Sequence, residues 1–276
     1  MEKKLEVSVI SPVFNERENL KTFVDSVTKV MHSTGMSWEL IVVDDGSDDG
    51  STTVIKELTN QDNIKCLLLA KNYGQTTAIQ AGFDNAIGKY LVTLDSDLQN
   101  DPKDIPALLH KLIEEELDLV VGWRKNRKDN YFLRNLPSSI ANKLIGNITG
   151  VKLHDYGCSL KAYRADVLKE VRLYGEMHRF IPAWMATKIP ASKISELVVT
   201  HHPRIAGKSK YGISRTFRVF VDLISVYFFM RFFSRPGHFF GLIGLLLSSI
   251  GSLILIYLVS LKFIYGLDIG DRPLLI

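Results

Sequence analysis

The sequence lacks the features that mark several common classes of protein. Its 276 residues contain only two cysteines, Cys66 and Cys158, so a disulfide framework and a cysteine zinc site are both disfavoured, and a reducing compartment is indicated. The N-terminus, MEKKLEVSVISP, has no long apolar stretch after its lysines and does not resemble a signal peptide. No G-x-G-x-x-G follows the first predicted strand and no G-x-S-x-G occurs, which disfavours a dinucleotide-dependent oxidoreductase and an α/β-hydrolase.

A large excess of charge of one sign is also missing. The formal net charge is +4, and the basic residues concentrate before a C-terminal apolar segment rather than in a nucleic-acid-binding motif. The letters GKS at 207–209 do not form a P-loop, because position 202, where that motif needs its first glycine, is histidine. An anionic or phosphate-bearing lipid is therefore a better partner than nucleic acid.

One long apolar run lies near the C-terminus. Between His238 and Lys262 there are 23 consecutive uncharged residues, which as a helix would span roughly 35 Å against a hydrocarbon core of about 30 Å. This length favours a transmembrane helix over a buried core helix. The basic residues around the run are Lys208, Lys210, Arg215, Arg218, Arg231 and Arg235 before it, and Lys262 and Arg272 after it. The positive-inside rule therefore predicts that residues 1–236 lie in the cytoplasm, at the inner membrane.

The rest of the chain predicts an α/β domain. From Glu6 to about Val121, short β-rich runs alternate with helical patterns, which indicates a mostly parallel, Rossmann-like sheet. Ligands bind such sheets beyond the carboxyl ends of the strands, where this sequence places NER, DDGSDDGS, KNYGQ and DSDLQ. We predict the α/β domain at 1–212, a juxtamembrane amphipathic helix at 213–236, the transmembrane helix at 237–262, and at 263–276 a tail that begins a second, truncated span. The alternative for 213–236 is a helix packed on the domain.

The run LVTLDSDLQNDP at 91–102 leads a predicted strand into two aspartates one residue apart. In an extended segment Asp95 and Asp97 would project to the same side, and two like charges at that range favour a cation between them. Carboxylate and amide oxygens are the ligands that Mg²⁺ or Mn²⁺ prefers, so Gln99 is the expected third ligand and a nucleoside diphosphate would complete the shell. The alternative for a bare D-x-D is a capped turn, which its location at the binding edge disfavours.

A second acidic run, VVDDGSDDGS, covers residues 42–51. Asp44 and Asp45 end a predicted strand, where a carboxylate can accept the ring N–H of uracil or guanine or hold ribose hydroxyls. The later members of the run are expected to cap the next helix: Asp48, Asp49 and Ser51.

Two polar groups in the second half are rich in basic residues. One follows the fifth predicted strand and contains Arg124, Arg134 and Ser138, and the other contains Arg204 and Lys210. Basic groups that converge near a membrane suit a phosphate presented by a lipid. The alternative for each residue taken singly is solvated surface charge.

These motifs together resemble the family-2 glycosyltransferases of GT-A fold, in the branch that contains dolichol-phosphate mannose synthase and bacterial polyprenyl-phosphate glucosyltransferases. The matching stretches are SPVFNERENL, IVVDDGSDDGS, LDSDLQNDP, VVGWR, DYGCSLKAYR, HRFIPAW and HHPRIAGKSKYG. The resemblance implies that Asp95, Asp97 and Gln99 hold Mg²⁺ or Mn²⁺, and that the catalytic residues are Asp97, Asp95 and Arg124. The implied nucleotide-sugar-binding residues are Pro12, Val13, Asn15, Glu16, Asp44, Asp45, Lys71, Asp95 and Ser96. The implied acceptor-phosphate-binding residues are Arg124, Arg134, Ser138, Arg204 and Lys210.

The resemblance further implies inverting transfer of a hexose from a nucleotide diphosphate sugar to a polyprenyl phosphate, with UDP-glucose favoured as the donor and GDP-mannose next. A lipid monophosphate, with a second pKa of about 6, is anionic at neutral pH, so its oxygen can attack the sugar without a general base. Transfer to a hydroxyl, for which Asp155 is the one candidate base, and a non-catalytic nucleotide-sugar-binding subunit stay open. The alternative for Glu16 is a place in the first helical turn. A single membrane span with an exposed face packs more easily in a homo-oligomer, which is therefore the expected assembly.

Overall fold

The computed structural model describes residues 5–59, 62–125, 145–146, 150–173, 175–203, 221, 224–225, 227–229, 231–232, 235–264 and 266. The chain divides into two compact units, Met1–Val226 and Tyr227–Ile276. The first unit holds a β-sheet with its helices, and the second holds the long apolar helix. Most of the predicted juxtamembrane helix at 213–236 and of the tail at 263–276 falls outside the described residues, so both stay predictions.

A seven-stranded sheet forms the centre of the first unit. The strands are β1 (Val7–Val13), β2 (Trp38–Asp44), β3 (Ile64–Leu68), β4 (Tyr90–Thr93), β5 (Leu119–Trp123), β6 (Lys161–Arg164) and β7 (Ile194–Val198). Their order across the sheet is β3-β2-β1-β4-β6-β5-β7, and of these described strands β6 alone runs against the others. The predicted mostly parallel, mixed sheet is therefore confirmed.

The central strands are apolar because both of their faces are covered. β1 pairs with β2 on one side and with β4 on the other, and nearly all residues of β1 and β2 are buried. Val, Ile and Leu dominate these strands, as expected for parallel strands between two layers of helices. The alternation of β-rich and helical patterns in the sequence reflects this arrangement.

Helices connect and cover the strands. They are α1 (Arg17–Ser33), α2 (Ser51–Leu58), α3 (Gln75–Asn85), α4 (Ile105–Glu114), α5 (Ala165–Leu168) and α6 (Ile181–Met185), with 3₁₀ turns at Pro102–Asp104, Met177–Phe180 and Ala191–Lys193. α1 buries Leu20, Phe23, Val24 and Val27, an apolar stripe at helical spacing. α3 packs closely on β1 at Gly82, where an added Cβ would lie 2.3 Å from Ile10 Cγ2. Because α3 follows the parallel strand β3, its start lies at the carboxyl edge of the strands.

The second unit contains the helix α7 (Pro236–Phe263), which covers the predicted span at 237–262. Its mean hydropathy reaches 2.5 over an 18-residue window, and the helix is long and apolar enough to cross a membrane. Most of its large apolar side chains are exposed within the described residues. Close to its start, Phe228, Phe232, Phe239 and Phe240 form a group of aromatic ring contacts.

Candidate active site

The predicted polar clusters meet at one edge of the sheet. Parallel pairing places the end of β1, Val13, beside the end of β2, Asp44, and antiparallel pairing places the end of β4, Thr93, beside the start of β6, Lys161. β5 runs in the same direction as β4, so the residues that follow Trp123 belong to this edge as well. The loops that follow these strands can therefore contribute to one site.

The D-x-D pair lies in a turn after the strand. β4 ends at Thr93, and Leu98 within the turn has a φ of +59°. The expectation that Asp95 and Asp97 extend the strand is wrong, because β4 ends before it reaches them. The turn is fastened to the end of β1, since the buried Ser96 hydroxyl donates to the carbonyl of Pro12 at 3.4 Å.

Asp95 occupies an environment that disfavours its charge. Burial, and next the charge of Asp97, raise the pKa of Asp95 from 3.8 to about 6. Gln75 at the start of α3 donates to Asp95 Oδ1 at 2.8 Å, and Ser159 contributes a further hydrogen bond. Two nearby basic side chains act against the increase in pKa. A cation bound beside this carboxylate would stabilise its ionised form.

The rest of the turn is fixed by hydrogen bonds on both sides of Asp97. Asp97 is 8% exposed, and its Oδ1 accepts the backbone N–H of Gln99 at 3.2 Å. The carbonyl of Gln99 accepts the N–H of His202 at 2.7 Å. Asn100 is buried and donates from Nδ2 to Ser159 Oγ at 2.8 Å. These bonds hold the turn between the 155–159 segment and the strand-like chain at 201–202.

Arg124 is engaged by a carboxylate inside the protein. Its Nε and Nη2 donate to the two oxygens of Asp155 at 2.7 and 2.9 Å, and the side chains are only 12% and 8% exposed. Any contact of Arg124 with an acceptor phosphate would use its remaining N–H groups. The sequence suggested Asp155 only as a base for a hydroxyl acceptor, and this ion pair was missed.

Lys161 is a buried cation that sequence reasoning also missed. It is 2% exposed, and its ammonium group donates to the carbonyl of Cys158. Burial lowers the pKa of Lys161. KAYR alone carries no signal for this burial, because Lys161 shares a face of β6 with Tyr163 and the adjacent Ala162 is buried as well.

Asp44 and Asp45 are both buried and hold loops at the site. Asp44 accepts the Ser47 N–H at 3.1 Å and the Thr52 hydroxyl at 2.5 Å. Asp45 accepts the two backbone N–H groups of residues 73–74 at 2.7 and 2.9 Å, and burial raises its pKa although these bonds oppose the change. Their contacts with the donor base and ribose stay predictions.

The loop after β1 is joined to the loop after β2. Asn15, which has a φ of +54°, exchanges two hydrogen bonds with Asp48, at 2.7 and 3.0 Å. Asp49 accepts the backbone N–H of Arg17 at 3.1 Å. The N-cap position of α2 is Gly50, but Asp49 Oδ1 accepts the backbone N–H of Ser51, the first residue of α2, at 2.9 Å, so the predicted capping is confirmed for Asp49, and these side chains also connect the two loops.

The other expected donor-binding residues lie beside these loops. Glu16 precedes α1 and accepts a hydrogen bond from Asn19 at 2.7 Å, which agrees with its alternative place in the first helical turn. Val13 is buried, and Pro12 is half-buried. Lys71 is exposed, with its ammonium 5.3 Å from the centre of a tyrosine ring. Contacts of these residues with a nucleotide sugar stay predictions.

The expected acceptor site is described only in part. Arg124 is described, whereas four of the expected residues lie outside the described residues: Arg134, Ser138, Arg204 and Lys210. Their binding of a lipid phosphate stays a prediction.

The side chains at this edge suit a divalent cation bound together with a diphosphate. Within the described residues, no group of three or more His, Cys, Asp or Glu side chains is arranged to hold a metal ion. Mg²⁺, however, is commonly held by one or two carboxylates, with substrate phosphates and waters completing its shell. Asp95 and Asp97 supply two such carboxylates, and a cation would offset the burial and the charge of Asp97 that together raise the pKa of Asp95. The residues present therefore fit Mg²⁺ or Mn²⁺.

Comparison with solved structures identifies the fold. Mannosyl-3-phosphoglycerate synthase from Rubrobacter xylanophilus aligns with 81% of this chain and 74% of its own, with a TM-score of 0.65 and 13% identity. Glucosyl-3-phosphoglycerate synthase from Mycobacterium tuberculosis, in a complex with Mn²⁺, UDP and glucosyl-3-phosphoglycerate, aligns with 82% of this chain and 80% of its own, with a TM-score of 0.63 and 16% identity. At these identities the likeness concerns the fold alone, and it confirms the predicted GT-A-like α/β fold.

Comparison of sequences identifies the family. The chain is 56% identical over 273 residues to dodecaprenyl-phosphate galacturonate synthase of Rhizobium johnstonii, covering 98% of this chain and 81% of the relative. It is 37% identical over 262 residues to undecaprenyl-phosphate 4-deoxy-4-formamido-L-arabinose transferase of Yersinia pestis, covering 94% of this chain and 77% of the relative. The model of the family described as Glycosyl transferase family 2 matches residues 8–172. The chain therefore belongs to glycosyl transferase family 2, as its motifs predicted.

Proposed function

We propose that the protein transfers galacturonate from a UDP-sugar to a polyprenyl phosphate, with inversion at the anomeric carbon. The likeness to a dodecaprenyl-phosphate galacturonate synthase along 98% of the chain supports this sugar. The likeness to undecaprenyl-phosphate 4-deoxy-4-formamido-L-arabinose transferases also supports a polyprenyl phosphate acceptor, and makes that sugar the second candidate. The earlier preference for UDP-glucose, with GDP-mannose next, finds no support in these relatives, and galacturonate replaces it.

The carboxylate pair of Asp95 and Asp97 is the observation that carries the proposal. It lies at the edge of the sheet where ligands bind, and its two carboxylates are close enough for the charge of Asp97 to add to burial in raising the pKa of Asp95, an arrangement that a cation would stabilise. A protein of the same fold has been solved with Mn²⁺ and UDP, which supports this cation and this nucleotide. When bound, Mg²⁺ or Mn²⁺ would neutralise the charge on the departing diphosphate. Gln99 stays the candidate for a third ligand.

The acceptor follows from the state of Asp155. A hydroxyl acceptor needs a base, and Asp155 is the candidate that the sequence offered. Both oxygens of its carboxylate already accept hydrogen bonds from Arg124, at 2.7 and 2.9 Å, so the carboxylate is engaged in an ion pair rather than free to take a proton from an acceptor hydroxyl. A lipid phosphate is already anionic and needs no base, so the observed ion pair favours a phosphate acceptor over a hydroxyl.

The protein's own contribution is then alignment and charge balance. Gln75 and Ser159 orient Asp95, while Asp44 and Asp45 hold the loops that border the donor site. Fixed loops place the two substrates so that the phosphate oxygen faces the anomeric carbon. The basic residues expected near the acceptor would allow two anionic substrates to approach each other.

The reaction would take place at the cytoplasmic face of the inner membrane. Helix α7 is long and apolar enough to anchor the protein, and six basic residues precede it between 208 and 235, whereas only Lys262 in its last turn and Arg272 after it follow the apolar run. An anchored domain meets a lipid phosphate at the membrane surface. Assembly into a homo-oligomer through α7 belongs to this proposal.

The test uses the purified full chain in lipid nanodiscs with undecaprenyl phosphate and Mn²⁺ or Mg²⁺. UDP-galacturonate, UDP-glucose and GDP-mannose are supplied in turn, and glycolipid products are followed by thin-layer chromatography and mass spectrometry. We expect an anionic glycolipid from UDP-galacturonate, and its loss with EDTA. Transfer only to a free polyprenol, or nucleotide-sugar binding without turnover, would favour one of the two alternative functions.

Two variants make the test specific to the carboxylate pair. Asp97→Ala should abolish transfer while the protein keeps its fold, because the side chain belongs to a turn beyond the sheet. Asp84→Ala is the matched control, since Asp84 lies at the far end of α3 and pairs with the exposed Arg172 at 3.1 Å. It should transfer like the wild type. Turnover by Asp97→Ala would contradict the assignment.

A further inference from the structure

Lys161 is a buried lysine that has no place yet in the proposed reaction. It is 2% exposed, and its ammonium group donates to the backbone carbonyl of Cys158. Burial lowers the pKa of Lys161, and the carboxylates of Asp155 and Asp95 act against that decrease. A buried ammonium group is costly for a fold, so its presence near two carboxylates of the candidate site needs an explanation.

The segment that Lys161 contacts, the 155–159 turn, touches both parts of the site. At its start, Asp155 holds Arg124 through two hydrogen bonds of 2.7 and 2.9 Å. At its end, Ser159 contributes a hydrogen bond to Asp95 and accepts one from Asn100 at 2.8 Å. A displacement of this turn would therefore move the Asp95 carboxylate and the arginine together.

The sheet holds the turn from two residues on neighbouring strands. The hydroxyl of Thr93 on β4 donates to the carbonyl of Ser159 at 2.7 Å, and Lys161, directly opposite Thr93 on β6, donates to the carbonyl of Cys158. Of these two attachments, Lys161 alone brings a positive charge close to Asp95 and Asp155. It is therefore suited to hold the turn and to balance the charge of the carboxylates at the same time.

We propose that Lys161 is a positioning residue of the transfer reaction: its bond to the Cys158 carbonyl fixes the 155–159 turn and, through Ser159, the direction of the Asp95 carboxylate. The inference rests on the proposed function, because the direction of Asp95 matters as that of a ligand for a cation and diphosphate. Lys161 itself does not touch the substrate. Loss of an outer-shell partner typically weakens metal affinity 10–100-fold, and we expect an effect in this range.

The test measures the affinity for UDP in the presence of Mn²⁺, by calorimetry on the full chain in nanodiscs, together with the melting temperature. Lys161→Met keeps the length of the side chain but removes its charge and its donor, and the affinity should fall about 10–100-fold. Lys161→Arg keeps the charge and the donors, so it should retain more affinity than Lys161→Met.

Tyr163→Phe is the matched control for burial on β6. Tyr163 lies on the same face as Lys161, is fully buried, and its hydroxyl is 3.3 Å from the Thr93 hydroxyl. Its truncation should lower the melting temperature and leave the affinity for UDP with Mn²⁺ within about twofold of the wild type, because its hydroxyl contacts Thr93 rather than the 155–159 turn itself, and Thr93 keeps its own bond to the Ser159 carbonyl. If Lys161 only stabilised the fold, Lys161→Met and Tyr163→Phe would instead have similar effects on the affinity for UDP with Mn²⁺.

A double-mutant cycle with Ser159→Ala tests the route of the effect. If Lys161 acts through Ser159, the losses of affinity in Lys161→Met and Ser159→Ala should not add, and the double variant should bind about as weakly as the weaker single variant. Additive losses would overturn the inference. So would wild-type affinity in a folded Lys161→Met protein, or an equal loss of affinity in Tyr163→Phe.

The role of Lys161 can be tested even if the Lys161→Met protein does not fold. In that case the affinity of Ser159→Ala for UDP with Mn²⁺ is measured: reduced affinity supports the inference, and unchanged affinity overturns it. A wild-type protein that binds no UDP with Mn²⁺ would contradict the proposed function instead, so the two failures are distinguishable.

Discussion

Replacing Asp95 by asparagine should stabilise the protein at neutral pH and remove its response to metal. Burial, and next the charge of Asp97, raise the pKa of Asp95 from 3.8 to about 6 in the folded protein. The folded protein therefore holds this proton more tightly than the unfolded chain, and stability is lost as the pH rises from about 4 to about 6. Above that range the charged carboxylate costs up to about 3 kcal/mol. Asparagine carries no charge, and its oxygen can still accept the hydrogen bond from Gln75.

This energy corresponds to a rise in Tm of up to roughly 6–12 °C for Asp95→Asn in a domain of this size. Thermal unfolding of the full chain in nanodiscs, followed by near-UV circular dichroism in EDTA, measures it at pH 7.5. The gain should largely vanish at about pH 4, where the folded wild type already holds the proton. Mn²⁺ with UDP should raise the Tm of the wild type and leave that of Asp95→Asn unchanged.

The control is Asp166→Asn, because the hydrogen bond from Arg164, at 2.7 Å, lowers the pKa of the exposed Asp166. That group contributes stability above its unfolded pKa, so its replacement should not raise the Tm at pH 7.5. A Tm of Asp95→Asn equal to or below that of the wild type at pH 7.5 in EDTA would refute the reasoning. An equal gain at pH 4 would also refute it.

Two further substitutions test the packing that positions the site. Gly82→Ala places a methyl group 2.3 Å from Ile10 Cγ2 and should cost about 1–3 kcal/mol by overpacking, measured by chemical denaturation. Combined with Ile10→Ala the two losses should not add, and strict additivity would contradict the contact. Arg124→Met removes the cation that faces the buried Asp155 and should cost about 3–5 kcal/mol, while Arg124→Met with Asp155→Leu should recover most of it. Failure of the double variant to recover stability would show that the ion pair is not the cause.

The framework of the site could be predicted because it depends on local patterns. Runs such as VSVISP and WELIVVD are buried on both faces in β1 and β2, so their composition indicates a parallel sheet. The polar residues after each strand must then meet at one edge. This is why Asp44, Asp95 and Arg124 could be assigned to one region from the sequence alone.

The partners of these residues could not be predicted, because they come from distant parts of the chain. Arg124 is 31 positions from Asp155, and Asp95 is 20 positions from Gln75. The sequence therefore predicted a phosphate contact for Arg124, which stays a prediction, but did not reveal its ion pair with Asp155. The geometry of the D-x-D turn also escaped prediction, since β4 ends at Thr93 and the pattern of apolar residues does not show where a strand leaves its sheet.

The burial of a charged side chain also could not be predicted from the sequence. Lys161 looks like an ordinary surface residue in KAYR, and its burial becomes evident only when β6 is placed between β4 and β5. The sugar could not be predicted either, because hydroxyl and carboxyl recognition leaves no regular spacing in a sequence. The proposal of galacturonate comes instead from the likeness, along nearly the whole chain, to a dodecaprenyl-phosphate galacturonate synthase.

The central claim is that Asp95 and Asp97 form a site at which a divalent cation and the diphosphate of the donor bind together. The most direct measurement compares the affinities for UDP and for uridine, each with Mn²⁺ and with EDTA, in the wild type and in Asp97→Ala. We predict that Mn²⁺ strengthens the binding of UDP to the wild type, does not change the binding of uridine, and has no effect on Asp97→Ala. UDP binding of equal strength in Mn²⁺ and in EDTA would contradict the account.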